Sequence, residues 1–103
     1  HSIRRVDMET GVSYDDDLEK VIRVTMELLE RDDRVLSDPK PKVAVSEMGD
    51  SAITLIVKPW VKTEDYWPFY YDFQKAVKQK YDEEGIEMPY PQMDVHLEKE
   101  SEK

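Results

Sequence analysis

The spacing of apolar residues switches period along this chain, and the order of the switches limits the folds open to it. Val6, Met8, Thr10, Val12 and Tyr14 fall on alternate positions, with Asp7, Glu9 and Ser13 among the residues between them. That period of two is the mark of a half-buried strand. Gly11 lies inside the run and marks a bulge or a point of close approach. Leu18, Val21, Ile22, Thr25, Leu28 and Leu29 then recur at helical spacing, predicting an amphipathic helix to about Asp32. Asp16, three residues ahead of Glu19, gives this helix a start like a capping box. The whole Asp15-Asp16-Asp17 run complements the positive end of the helix dipole.

Ser37 to Lys42 holds Pro39 and Pro41 and reads as a loop. Val43 and Val45 open a second strand, Gly49-Asp50-Ser51 is a tight reversal, and Ala52 to Val61 is a β-branched third strand. Its apolar residues occupy both faces, which places it centrally, with Pro59 where it leaves its ladder. A second helix starts near Asp65 or Tyr66, tolerates Pro68 in its first turn, and buries Tyr66, Phe69, Tyr70, Phe73, Val77 and Tyr81. Gly85 stands where a helix-terminating glycine belongs, and Ile86 to Met88 adds a short strand. The expected fold is α+β, a split βαβ (ferredoxin-like βαββαβ) sheet with two helices on one face. Beyond it lies a detached C-terminal strand.

That last strand follows from Pro89 and Pro91. Each removes an amide donor, so Pro89-Tyr90-Pro91 is a stiff spacer rather than part of the parent sheet. Met93, Val95 and Leu97 alternate with Asp94, His96 and Glu98 beyond it. At about 3.3 Å per residue, Gln92 to Glu98 spans only ~23 Å, and both its edges need partners. Such a strand is an association device, so oligomerisation is expected. The domain limits read as residues 1–3 a linker left by excision, 4–90 the α/β domain, 91–98 the terminal strand and 99–103 a frayed tail.

Charge narrows the function. Fifteen Lys and Arg stand against 24 Asp and Glu, a net charge of −9. A chain so acidic lacks the basic surface that nucleic acid or an anionic leaflet requires. With no cysteine there is no disulfide, no thiol nucleophile and no cysteine-ligated zinc. Nothing approaches the ~20 apolar residues of a membrane span.

No catalytic constellation emerges. His96 with Asp94 and Glu98 lies on one face of a strand, but a solvated polar face explains the trio better than a metal. The Asp15–Asp17 run lacks the offsets and the glycine of a calcium loop. The serines Ser13, Ser37, Ser46 and Ser51 sit in turns or strands without a nucleophile elbow. Gly11, Gly49 and Gly85 all have structural places, leaving none to cradle a phosphate. No cofactor is expected. In the cluster Tyr66-Trp67-Pro68-Phe69-Tyr70-Tyr71, however, Trp67 and Tyr71 lie off the buried stripe, four residues apart. They suit either a protein–protein contact or packing against a loop.

Gly85-Ile86-Glu87-Met88-Pro89-Tyr90-Pro91-Gln92-Met93-Asp94-Val95 resembles the C-terminal signature of the small-conductance mechanosensitive channel family. Arg4-Arg5-Val6-Asp7, Gly11 to Asp15, Asp33-Arg34-Val35-Leu36, Pro41 to Val45 and Glu47 to Ser51 resemble that family in the same order. The resemblance runs from about Arg4 to Leu97. It implies membrane helices and a small β domain upstream, in a homoheptamer whose α/β domains form a hollow cytoplasmic cage beneath the pore. It further implies that the terminal strands close a small parallel barrel, and that ions and small solutes pass between neighbouring domains. Two other readings share the βαββαβ plan. A free-standing regulatory domain would bind a small ligand between subunits through ligand-facing loop glycines. An acylphosphatase-like enzyme would need an Arg and an Asn poised for phosphate, and the chain has no Asn.

Overall fold

The computed structural model describes residues 2–88. Their order is β1 (Ile3–Arg5), β2 (Met8–Val12), α1 (Leu18–Arg31), β3 (Lys42–Met48), β4 (Ile53–Lys58), β5 (Trp60–Lys62), a 3-10 turn (Thr63–Asp65) and α2 (Tyr66–Glu84). The fold is α+β, with two helices and antiparallel strands, as the succession of periods implies. β4 is central in a three-stranded sheet ordered β2-β4-β3, and β1 pairs with β5.

Pro59 is what separates the two sheets. Arg5 faces Trp60 and Met8 faces Val57, so β1–β2 and β5–β4 share one unbroken register across Val6 and Asp7. Pro59 has no amide to give the ladder, but its carbonyl accepts the Val6 amide at 2.8 Å. The first strand also starts earlier than its apolar alternation indicates. Ile3 faces Lys62, and the Ser2 carbonyl accepts from the Thr63 amide at 3.2 Å, so residues set aside as linker are paired. Tyr14 lies beyond the strand and donates its hydroxyl to the Gly49 carbonyl. The register irregularity falls on β3, between Val45 and Glu47, while Gly11 faces Thr54 in regular pairing.

One core joins the sheet to both helices. Met8, Val12, Ile53, Leu55 and Val57 from the strands meet Val21, Val24 and Leu29 of α1 and Phe69, Phe73, Val77 and Tyr81 of α2. Alternate residues of β4 are buried, so the sheet turns one face to the helices. Burying five such strand side chains is worth roughly 1.5–3 kcal/mol each, far more than helix propensity supplies.

The end of α2 departs from the expected plan. Gly85 caps the helix with φ 73°, and Ile86 turns back so that its amide reaches the Tyr81 carbonyl at 2.9 Å. Ile86 is thereby buried in the core. Its apolar side chain completes the helix terminus, and Ile86 to Met88 form no strand. The closing strand of a βαββαβ sheet is therefore missing among the described residues.

Candidate functional site

The surface that stands out is a ledge of rings on the first two turns of α2. Phe69 and Phe73 point inward and stack at 5.2 Å. Trp67 and Tyr71 point outward, 53% and 64% exposed. They stack on one another at 5.8 Å with an interplanar angle of 28°. Tyr70 meets both edge-on, at 5.6 and 5.7 Å, and Tyr66 stacks on Tyr70 at 6.5 Å. The guanidinium of Arg4, on β1, lies 4.0 Å from the centre of the Tyr66 ring, a cation–π contact tying the ledge to the sheet. Among the described residues Trp67 and Tyr71 are more than half exposed, whichever of the two roles they take. They support each other and leave their outer faces to solvent.

Below the ledge, Arg34 locks α1 to α2. It donates to both oxygens of Asp32, the C-terminal cap of α1, at 2.9 Å each, and to Asp72 of α2 at 3.0 Å. Its guanidinium also lies 5.6 Å from the Phe69 ring. The Arg34 hydrogen bonds hold the Asp32 carboxyl below the usual carboxylate range, against the opposing effect of burial. The same pairing pushes Arg34 up. Nothing in the local spacing marks Arg34 as a clamp, because Asp72 is 38 residues away.

Two of the three aspartates before α1 have separate tasks. Asp17, rather than Asp16, is the cap, its carboxylate accepting from the Glu19 and Lys20 amides at 3.0 and 3.3 Å. Asp16 instead accepts from the Ser13 amide at 3.2 Å and from the Glu87 amide at 3.2 Å. Among the described residues no His, Asp and Glu side chains group to hold a metal ion. Asp94, His96 and Glu98 lie outside the described residues, as do Pro89, Pro91, Met93, Val95 and Leu97.

The described residues thus form an α+β domain that carries a solvent-facing ledge of stacked rings. The family model for the C-terminal part of the mechanosensitive ion channel MscS matches residues 6–88. The chain belongs to the MscS family of mechanosensitive ion channels. It is 40% identical over 94 residues to an uncharacterised MscS family protein of Synechocystis, covering 91% of this chain and 32% of that protein. To a small-conductance mechanosensitive channel of Edwardsiella ictaluri it is 38% identical, covering 91% of this chain and 33% of the channel. The chain thus spans about a third of these relatives. In fold it is similar to the closed-state crystal structure of Helicobacter pylori MscS, with a TM-score of 0.81 and 20% identity over 95% of this chain and 39% of that one. No helix among the described residues is long and apolar enough to cross a membrane.

Proposed function

We propose that this chain is the cage-forming C-terminal domain of a tension-gated channel and has no catalytic role. Seven copies would enclose a cytoplasmic vestibule through which ions and small solutes reach the pore. Membrane attachment would come from helices upstream. The match of residues 6–88 to the C-terminal part of the family, in a chain spanning about a third of its relatives, carries this reading.

Residues 4–90 form the cage domain in this proposal, 91–98 the barrel strand and 99–103 a tail. Trp67 and Tyr71 contact a neighbouring subunit or the preceding β domain; large rings already held by stacking lose little further side-chain entropy on docking. Met93, Val95 and Leu97 turn toward the barrel axis, with Pro89 and Pro91 as the stiff lead-in. The net charge of −9 per copy makes the enclosed space cation-enriched, an effect confined by a Debye length of about 8 Å at physiological salt.

Sedimentation of the channel carrying this domain tests the reading. Val95→Lys brings several ammonium groups to one axis and should abolish the sevenfold species. Trp67→Ser with Tyr71→Ser should weaken assembly while barely moving the melting temperature of the 103-residue chain. An intact cage despite Val95→Lys overturns the barrel assignment, and a fall of many degrees in the double Ser variant places the rings in the core. Reversal potentials at low salt should shift when acidic residues facing the openings are neutralised.

A further inference from the structure

The last described turn of the chain is held from several sides, and one of the holders is unexpected. Gly85 reverses the backbone in the left-handed region, with its amide on the Asp82 carbonyl and that of Ile86 on Tyr81. Ile86 is buried and Met88 packs against the same core. From the first turn of α1, the Lys20 ammonium reaches the Glu84 carbonyl at 2.9 Å and the Glu84 carboxylate at 3.7 Å. From the loop before it, the Asp16 carboxylate takes the Glu87 amide at 3.2 Å, across 71 residues of sequence. Asp16 and Lys20 thus grip the backbone on either side of Gly85, one through a donor and the other through an acceptor.

Capping does not explain Asp16, because Asp17 already caps α1. Helix termination does not explain the grip either, since Gly85 and the buried Ile86 suffice for that. What the two side chains add is direction. A residue past a helix end normally turns freely about its φ and ψ. A hydrogen bond to the Glu87 amide restrains the Ile86–Glu87 peptide plane, one residue before Met88 and two before Pro89. The locked φ of a proline would carry such an orientation onward.

We infer that Asp16, assisted by Lys20, is a positioning residue that sets the direction in which the C-terminal segment leaves the domain, and so aligns it for assembly with other copies. The inference rests on the assembly role proposed above for that segment. Entropy gives the physical reason. A segment launched in one direction loses less freedom when it joins a ring than one that samples a hemisphere.

Two measurements test it. In amide exchange on the 103-residue chain, Asp16→Ala should speed exchange at Glu87 about tenfold, with the core amides of α1 and α2 unchanged. Asp16→Asn keeps an acceptor oxygen and should fall between, which guards against a variant that merely folds poorly. Unchanged exchange at Glu87 overturns the anchor. In the channel carrying this domain, Asp16→Ala should reduce the assembled fraction seen by sedimentation, with Asp16→Asn less affected. If Val95→Lys blocks assembly and Asp16→Ala does not, the positioning role fails and the assembly reading stands. If Val95→Lys leaves assembly intact, the reading of the terminal segment fails and this inference with it.

Discussion

The hydroxyls of Thr25 and Tyr81 lie 2.6 Å apart in the interior, joining the middle of α1 to the last turn of α2. Thr25 also bonds the Val21 carbonyl at 2.7 Å. A carbonyl cannot donate, so the one Thr25 proton goes to Val21 and Tyr81 donates to Thr25. Both side chains are fully buried, so the pair is a polar link inside the apolar seam between the helices. Thr25→Val would leave the Tyr81 hydroxyl a buried donor without an acceptor, and should cost about 1–3 kcal/mol. Tyr81→Phe removes the donor itself and should cost only ~1 kcal/mol. The double variant should lose less than the sum. Denaturant unfolding of the three decides it, and strictly additive losses would mean the hydroxyls are not coupled.

The same pair predicts alkaline behaviour. Burial pushes the Tyr81 phenol above its ordinary value, countered by the Thr25 hydroxyl and reinforced by the Asp16 charge. Thr25 can help a phenolate only by turning its proton away from Val21. The folded-state value lies above the unfolded value of about 10. The neutral phenol's contribution is therefore intact below about pH 10 and lost as pH rises through the folded value. Melting temperatures between about pH 9 and 11 should fall more steeply for the natural chain than for Tyr81→Phe.

At the acid end the responsive group is Asp32. Its hydrogen bonds from Arg34 keep its folded-state value below the unfolded one. Its contribution is accordingly present above about pH 4 and disappears as pH drops toward the folded value. Melting curves of the natural chain and Asp32→Asn should converge as pH falls from about 5 to 2. Arg34→Lys loses the two-pronged contact and should destabilise by about 1 kcal/mol at neutral pH. Asp72 is largely exposed, with its side chain 69% accessible, and Asp72→Ala should change the melting temperature little. A larger effect at Asp72 than at Arg34 would reverse this ranking.

A stabilising substitution is also foreseeable. The Thr10 hydroxyl on β2 is buried and has no hydrogen-bond partner among the described residues. Thr10→Val keeps the shape and removes the unsatisfied oxygen. It should raise stability by about 1 kcal/mol, a gain of roughly 4–8 °C in melting temperature for a domain of this size. A lower melting temperature would mean the hydroxyl has a partner in solution.

Much of this architecture is determined by the sequence alone, because it depends on neighbours a few residues away. The stripe from Leu18 to Leu29 yields α1, and that from Phe69 to Tyr81 yields α2, since side chains three and four apart share a helix face. Gly85 ends α2 because a left-handed residue belongs there. Pro59 breaks the ladder because it has no amide. The exposure of Trp67 and Tyr71 follows from their offset to the buried stripe. Tertiary structure decided the rest. Three adjacent aspartates are equivalent by local propensity, yet Asp17 takes the cap while Asp16 holds the Ser13 amide and, across 71 residues, that of Glu87. Ile86 to Met88 has the composition of a strand, but burial against the core drew Ile86 into the helix end first. Ile3 is drawn into a strand by Lys62 opposite. Thr25 with Tyr81, and Arg34 with Asp72, meet across 56 and 38 residues. No local period encodes such pairs, because contacts of that separation exist only once the two helices have packed on the same face of the sheet.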